Sequence, residues 1–201
     1  GVRPLLDELA TDLVAGGWSL KRLHRRLMLS AAYRMSGRAN DAALASDPEN
    51  RLWWRFPRRR LEAEEIRDSV LAVADGIDWR IGGQLMTSKN RDYVTKLNNY
   101  TVPRRSVYLP VLRSAVYDLF TAFDFGDPSV VQGQRSSTTV APQALFMMND
   151  VLVLSQSRRL AQLELAKSDH NDAQRVTDIY RRRYSRTPTD PEISRALACL
   201  P

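Results

Sequence analysis

The charged side chains of residues 55–70, RFPRRRLEAEEIRDSV, are the first candidates for chemistry in this sequence. Arginines and acids recur here at spacings of three and four residues, which makes them neighbours on a helix. Glu64 and Arg67 therefore belong to an exposed ladder of ion pairs, whereas Arg59 and Glu62 fall on the apolar side of the same predicted helix. Because a buried carboxylate without a partner is strongly destabilising, we expect Glu62 to be paired.

The expected partners of Glu62 are Arg59, Arg34 and His24. The four side chains would form a buried ion-pair network that fixes how the helices pack. His24 shares its predicted helix face with leucines, so we expect a core histidine rather than a catalytic group.

The alternative is that Glu62 acts as a general acid or base. In that case Asp68 or Asp124 would supply the second carboxylate of an enzyme that acts on polysaccharide. Such carboxylate pairs lie about 5–10 Å apart in an open cleft. The sequence leaves this hypothesis open beside the structural one.

A second group of side chains could bind sulfate, phosphate or carboxylate. VPRRSVYLP, residues 102–110, places two arginines beside a hydroxyl and an aromatic ring in a non-helical setting. RSSTTVAPQAL, residues 135–145, adds an arginine and hydroxyls at a predicted helix start, where anions bind readily. The alternatives are an exposed strand edge for the first segment and simple helix capping for the second. The candidate anion-binding residues are Arg104, Arg105, Ser106, Tyr108, Arg135, Thr138 and Thr139.

The charge balance favours an acidic partner without choosing one. Lys and Arg number 30 against 23 Asp and Glu, which gives a net charge of +7. Nucleic acid, anionic lipid and acidic polysaccharide all suit such a balance. The predicted helix 19–38 is basic and amphipathic, as membrane-surface and nucleic-acid-binding helices are, although acids of the same protein could neutralise it. Because helix-turn-helix, zinc-finger and RNP-type patterns are missing, we disfavour nucleic acid.

Several chemistries have no support in the sequence. One cysteine, Cys199, excludes an intrachain disulfide, and two histidines without metal-ligand spacing argue against a metal or haem site. Phosphate-binding glycine loops and the G-x-S-x-G motif are missing too. We therefore predict no metal and no cofactor. We also predict no membrane span, because the sequence lacks a run of 18 apolar residues.

The elements that must position these residues are mostly helices. Helical periodicity marks residues 4–14, and Ser19 caps a second helix that Gly37 can end. Further helices are predicted at 113–123 and from Asn171 to Tyr184, and a capping box, Thr189-x-x-Glu192, starts a last one. We predict a mainly α, multi-helix orthogonal bundle in one domain, residues 1–201. Gly, Asn and Pro residues interrupt 76–112, which we expect to be a long irregular insertion with a short β-hairpin as an option.

Three further elements follow from local patterns. Asp47-Pro48 predicts a short helix that runs to Pro57. The helix that carries the charged motif should end near Gly76. Residues 144–154 are apolar nearly all round, which predicts a buried central helix.

Five segments together resemble the family of domain of unknown function 1553, the planctomycete-type PSD domain. They are GWSLKRLHRRLMLSAAYR (17–34), RRLEAEEIRDSVL (59–71), RRSVYLP (104–110), FDFGDP (123–128) and TTVAPQALFMMN (138–149). The resemblance covers roughly residues 5–190. Two departures are Arg3-Pro4, where the family usually has His-Pro, and a family tail with an Asn-x-x-Glu-Phe segment that is missing here.

The resemblance implies a piece of a large exported bacterial protein of the periplasm or cell envelope. Its implied partners are an upstream domain of unknown function 1549 and cytochrome c-type modules. It transfers no catalytic residues. We therefore expect a non-catalytic or accessory module that binds a polyanionic ligand, such as a sulfated or acidic polysaccharide, or its neighbouring domains. The alternatives are the polysaccharide-active enzyme and a nucleic-acid-binding domain.

Overall fold

A computed structural model describes residues 3–82, 85, 102–113 and 116–200, and these residues are mainly helical. The predicted mainly α class is therefore confirmed. The contacts divide the chain into two compact units, Gly1–Arg60 and Leu61–Pro201, which we describe in turn. The helices of the described residues are α1 Arg3–Ala15, α2 Leu20–Met28, α3 Asp41–Ser46, α4 Ala63–Val73, α5 Asp118–Ala122, α6 Ala141–Asn149, α7 Val151–Leu165, α8 Asp172–Tyr184 and α9 Asp190–Leu197.

The first unit opens with the helix pair α1 and α2. Gly17 ends α1 in the left-handed region at φ 69°, which glycine adopts without strain. Ser19 then caps α2 by accepting a hydrogen bond from the Arg22 N–H at 3.3 Å, as predicted. The predicted extension of α2 to Gly37 is wrong. The Ser30 hydroxyl bonds the Leu27 carbonyl and accepts from the Tyr33 N–H, which draws the backbone into turns after Met28.

The predicted helix from Asp47 to Pro57 is a loop instead. The buried carboxylate of Asp47 accepts the N–H groups of Arg51 and Leu52 at 2.9 and 2.8 Å. Asn50 and Trp53 adopt left-handed backbone angles, φ 56° and 57°, which a continuous helix does not allow. The loop is therefore built from side-chain-to-backbone hydrogen bonds.

The second unit contains the hydrophobic core. Its buried cluster joins α4 and α5 to the segment that follows residue 102, and Phe120 stacks on Phe125 with ring centroids 4.8 Å apart. Partly buried side chains of α6 and α7 pack against this cluster, among them Phe146 and Leu152. The buried members of the cluster are Ala63, Leu109, Leu119, Phe120 and Phe123.

The predicted buried helix at 144–154 is wrong in two respects. The helix is interrupted at Asp150, whose side chain caps α7 by accepting the Leu152 N–H at 2.9 Å. In addition, three of the apolar residues face solvent, since Leu145 is 60%, Met148 70% and Val151 80% exposed. An apolar sequence here does not mean a helix surrounded by the core.

The irregular region 76–112 is described in part. Asp78 and Arg104 form an isolated parallel β-bridge, and residues 106–108 make one turn of 3₁₀ helix. Residues 83, 84 and 86–101 of the predicted insertion lie outside the described ranges, so the optional β-hairpin stays a prediction. The helix predicted from Arg113 to Phe123 is shorter than expected, because Tyr117 is extended and α5 begins at Asp118.

The C-terminal helices follow their capping signals. Asn171 and Gln174 cap α8 by bonding each other's backbone N–H groups at 2.8 and 2.9 Å. Glu192 accepts the Thr189 N–H at 2.8 Å, so the predicted capping box of α9 is confirmed. None of the described helices is both long enough and apolar enough to cross a bilayer.

Candidate functional site

An acidic cleft of about 420 Å³ lies beside the first turns of α4. Four carboxylates line it, and the facing wall carries Arg105, Ser106 and the rings of Phe120 and Phe125. Acidic side chains are favourable at a helix N-terminus because they offset the positive end of the helix dipole. The four carboxylates are Glu62, Glu64, Glu65 and Asp68.

The prediction that Glu62 is buried is wrong. Because α4 begins at Ala63, Glu62 is the residue before the helix, and its side chain is 51% exposed. Its backbone N–H donates to the Glu65 carboxylate at 2.9 Å in a capping box. The helical spacing that turned Glu62 inward assumed a longer helix, which the run of arginines before Leu61 does not form.

Arg135 binds two of these acids. It reaches Glu62 at 3.1 Å and both oxygens of Glu64 at 2.8 and 3.0 Å. The pair with Glu64 raises the pKa of Arg135, and the guanidinium also lies 4.7 Å from the ring centroid of Phe125. Sequence reasoning placed Arg135 in an anion site, and the anions it holds are carboxylates of this chain.

The other members of the predicted buried network lie in the first unit. His24, Arg34 and Arg59 are all exposed, so their predicted burial is wrong. His24 sits on α2, none of whose residues is buried. Arg34 follows the end of α2 and Arg59 precedes the start of α4, so the predicted wheel positions do not apply to either residue.

Arg67 is the charge that the fold does bury, at 0% exposed. Its guanidinium donates to the carbonyls of Val102 and Arg104 at 2.6 and 2.8 Å and to the Ser106 hydroxyl at 3.3 Å. Burial lowers the pKa of Arg67, while Tyr117 and Asp68 oppose that shift. The sequence indicated an exposed ladder for Arg67, and the period of α4 instead aligns it with buried Ala63, Leu71 and Ala74.

Ser106 links Arg67 to the neighbouring carboxylate. Its N–H and its hydroxyl both donate to one oxygen of Asp68, at 2.8 and 2.7 Å. The buried arginine, the serine and the half-buried acid thus form one hydrogen-bonded chain. We call Arg67, Asp68, Arg104 and Ser106 the arginine junction.

Arg104 completes the junction from the other segment. It is 7% exposed, and its guanidinium donates to the carbonyls of Arg80 and Gly82 and stacks 4.9 Å above the Tyr108 ring. Asp78 lies 3.9 Å away and is held by Arg80, which lowers the pKa of Asp78 to about 2. The donors of Arg104 that were predicted for an outside anion therefore serve the protein's own backbone.

The hydroxyl group predicted to cap α6 has another role. Thr138 donates its N–H and its hydroxyl to the carboxylate of Asp124, at 2.7 and 2.9 Å. The residue before α6 is Val140, rather than Thr139, and the Gln143 side chain accepts its N–H at 3.2 Å. Asp124, a candidate carboxylate for catalysis, is therefore a structural acceptor.

A second polar cluster escaped sequence reasoning. Glu164 is 2% exposed, and its carboxylate lies 2.7 Å from the Lys167 ammonium. That ammonium also donates to Asp178 at 2.7 Å, and Asp178 lies 3.2 Å from the His170 ring. Asp178 raises the pKa of Lys167, and Lys167 lowers the pKa of Asp178. The spacing Glu164-x-x-Lys167 was the available signal, since it makes the two neighbours on a helix.

An apolar groove of about 300 Å³ runs between α4 and α7. Gln156 and Arg183 are among its few polar lining residues. Leu61 and Tyr184, at 50% and 53% exposed, lie at its mouth. The other apolar lining residues are Ile66, Val70, Val73, Ala74, Phe123, Met147, Val153 and Leu160.

Two arginines fix the α4 wall of this groove. Arg159 donates to the carbonyls of Ala74 and Asp75 at 2.8 and 2.9 Å. Arg182 donates to the Val73 carbonyl at 3.1 Å and to the Asp75 carboxylate at 2.8 Å. These bonds satisfy the carbonyls that a helix leaves unpaired at its C-terminus. The groove is therefore held open by polar contacts at its end.

The carboxylates considered for catalysis all have partners within this chain. The carboxylates considered for polysaccharide cleavage, Glu62, Asp68 and Asp124, are bound by Arg135, Ser106 and Thr138. Within the described ranges, no group of three His, Cys, Asp or Glu side chains is placed to hold a metal ion. The groove, by contrast, presents an apolar surface with little internal use.

Comparison with known protein families confirms the resemblance that the sequence motifs suggested. The family described as PSD1, protein of unknown function (DUF1553), matches residues 2–200. Neither the comparison with curated proteins nor that with solved structures found a match. Two blocks that carry the resemblance, 59–71 and 104–110, are the ones that meet at the arginine junction. Since the match spans nearly the whole sequence, the chain belongs to the DUF1553 family.

Proposed function

We propose that this chain is a non-catalytic docking module of an exported bacterial cell-envelope protein. Its apolar groove receives a neighbouring protein domain. The observation that carries the proposal is the groove itself, whose α4 wall is anchored by Arg159 and Arg182 and whose lining includes the half-exposed Leu61 and Tyr184. Exposed apolar surface of this kind marks protein interaction sites.

The helices that line the groove also carry exposed apolar side chains outside it. Leu145 and Met148 of α6 and Val151 of α7 are more than half exposed, although polar side chains would serve an isolated helix better. A partner that covers them would bury apolar area, which is worth about 25 cal/mol for each Å². The proposal therefore accounts for apolar residues that the core of the second unit does not use.

The contacts of the predicted anion site support a protein partner over a polyanion. Arg104, Ser106, Arg135 and Thr138 spend donors on carbonyls and carboxylates of this chain. A polyanion would have to displace those acceptors. Residues 61–201 also carry 18 basic against 17 acidic side chains, so the groove lies in a nearly neutral unit.

The partner we propose is the domain of unknown function 1549 that the resemblance places upstream. The test is calorimetric titration of that domain, produced separately, into this chain. We expect saturable binding that the double variant Leu61→Ser/Tyr184→Ser weakens at least tenfold, since each buried apolar side chain contributes about 1.5–3 kcal/mol. Both residues are half exposed, so the variant should fold, which circular dichroism would verify.

The matched control is Val130→Ser/Val131→Ser, which removes two exposed apolar side chains elsewhere in the same unit. It should bind like the wild type. Two results would overturn the proposal: no binding, or binding equally weakened by both double variants. Titration with a cytochrome c-type module and with heparin completes the experiment. Preference for heparin, abolished by salt, would identify a polyanion-binding module instead.

A further inference from the structure

The positive charge of this chain is concentrated in its first unit. Residues 1–60 contain twelve Lys and Arg against six Asp and Glu, a net charge of +6, whereas residues 61–201 carry +1. A basic region of this density attracts anionic surfaces over distances of about 8–10 Å at physiological salt. An acidic partner, which the composition predicts, should therefore bind mainly to the first unit.

Helix α2 presents apolar side chains next to this charge. Leu20, Leu27 and Met28 are 60%, 40% and 53% exposed, and α2 buries no residue. On the helical wheel these three share one side with exposed His24, and Lys21 and Arg25 lie along one edge of it. The helix is thus basic and amphipathic, with its apolar side turned to solvent.

Helix α1 forms ion pairs with a different side of α2. Arg22 binds Asp12 at 2.9 Å, and Arg26 binds both Glu8 and Asp12. These ion pairs neutralise half of the cations of α2 and fix which side faces α1. Lys21 and Arg25 take no part in them, and they border the exposed leucines.

Two tryptophans add large exposed surface to the same unit. Trp18, directly before the cap of α2, is 70% exposed, and Trp53 is 65% exposed beside Leu52 at 83%. Both tryptophans have left-handed backbone angles, φ 60° and 57°, which bulky residues rarely adopt. In the loop of Trp53, Asp47 fixes this geometry by accepting the Arg51 and Leu52 N–H groups.

We propose that the first unit binds the surface of anionic lipid bilayers. Helix α2 lies in the headgroup region, with Leu20, Leu27 and Met28 toward the acyl chains and Lys21 and Arg25 toward the lipid charges. This combination of a strongly one-sided basic helix and low overall hydrophobicity is the pattern of interfacial helices. Tryptophan is enriched at the same depth, because its ring is apolar and its N–H is polar.

The exposed leucines decide between a bilayer and other anionic partners. Nucleic acid or an acidic glycan would satisfy the cations, but neither offers an apolar phase for Leu20 and Leu27. The nine residues of α2 span about 13.5 Å, less than half of a hydrocarbon core of about 30 Å. The helix therefore suits a position along the bilayer surface and is too short to cross it.

The test is sedimentation of the full chain with phosphatidylcholine vesicles that contain about 30% phosphatidylglycerol, so that their surface is anionic. We expect binding to these vesicles and at least tenfold weaker binding to pure phosphatidylcholine. Lys21→Gln/Arg25→Gln should lower the partition coefficient about 25-fold, since each cation near an anionic surface contributes about a factor of five. Arg113→Gln/Arg158→Gln, an equal charge change in the second unit, is the control.

The apolar side is tested separately with Leu20→Ser/Leu27→Ser. This variant should lower partition about tenfold or more, whereas Val130→Ser/Val131→Ser in the second unit should change it less than twofold. Both leucines are exposed, so the variant should keep its fold. Equal loss in the two serine variants would overturn the placement of α2 at the bilayer.

Tryptophan fluorescence gives a readout of depth. Bromine-labelled lipids should quench the wild type, and Trp18→Phe/Trp53→Phe should lose most of that quenching, while Trp79→Phe should keep it. Binding that salt abolishes, that the leucine variant leaves unchanged and that DNA or heparin displaces would overturn the proposal in favour of a soluble polyanion. Failure to bind either vesicle would overturn it as well. The groove proposal does not depend on any of these outcomes.

Discussion

The two compact units of this chain are stabilised in different ways. Every buried hydrophobic side chain of the described residues lies in the second unit, as do five of the six buried polar or charged ones. The first unit buries one residue, Asp47, and joins α1 to α2 through ion pairs of Arg22 and Arg26. It nevertheless carries six of the seven net positive charges.

The two units should contribute unequally to the free energy of unfolding. Exposed ion pairs contribute about 0–1 kcal/mol each, whereas breaking a buried charge pair costs about 3–5 kcal/mol. The second unit should therefore dominate the measured free energy of unfolding. The positive charge and the exposed apolar side chains of the first unit are instead the basis of the proposed binding to a bilayer. Four predictions test this contrast between the units.

Replacing Arg67 by methionine should lower the free energy of unfolding by about 4–5 kcal/mol. The change leaves the carbonyls of Val102 and Arg104 and the half-buried carboxylate of Asp68 without their cation. Chemical denaturation measures the effect. The matched control is Arg113→Met, an exposed arginine, which should cost less than about 0.5 kcal/mol. Similar costs for both variants would show that the arginine junction is not a source of stability.

Truncating Phe120 to alanine should cost about 3 kcal/mol, because it opens a cavity in the core between α4 and α5. The counterpart in the first unit is Leu6→Ala, where a side chain 59% exposed should cost under about 0.5 kcal/mol. Thermal and chemical unfolding of both variants would measure this ratio. A cost of Leu6→Ala close to that of Phe120→Ala would remove the contrast between the units.

The loop around Asp47 should open in acid. The Leu52 N–H lowers the pKa of Asp47 below its usual 3.8, so this contribution to stability is present above about pH 3.8 and is lost as the pH falls below it. Hydrogen exchange of the Arg51 and Leu52 amides reports the opening. Asp47→Ala should raise their exchange about tenfold at neutral pH, as the loss of a capping acceptor does. Glu49→Ala, beside it on the surface, should not.

The smallest expected effect lies at the start of α9. Arg186 holds the pKa of Glu192 at about 2, with help from the Thr189 N–H. Stability from this pair is therefore present above about pH 4.5 and is lost between that pH and about 2. Carboxyl chemical shifts in NMR would follow the titration, and Arg186→Gln should move it toward 4.5. A Glu192 that titrates near 4.5 in the wild type would contradict the ion pair.

Local signals in the sequence predicted much of the fold. Ser19, Asn171 and the pair Thr189 and Glu192 start helices where their hydrogen-bonding side chains indicate, because a cap depends on residues three or four positions away. The same reasoning missed the break at Asp150. An aspartate before an apolar run was an available capping signal, and the hydrophobicity of residues 144–154 masked it.

The candidate site was harder to predict, because its partners are distant in sequence. Glu62 pairs with Arg135 across 73 positions, and Arg67 bonds Ser106 across 39. Periodicity indicated which side chains share a helix face, but it did not indicate where the helix begins. Because α4 begins at Ala63, Glu62 falls before the helix and is exposed, and the buried face of α4 includes Arg67 beside Ala63 and Leu71.

The arginine junction has a consequence for how this chain tolerates variation in length. It joins α4 to residues 102–106 through contacts that do not depend on the connecting chain. The entropy of closing such a connection grows slowly, by about 0.6 kcal/mol for each doubling of its length. Relatives should therefore accept insertions or deletions between the bridge partners Asp78 and Arg104, while Arg67 and Ser106 keep the two ends in register.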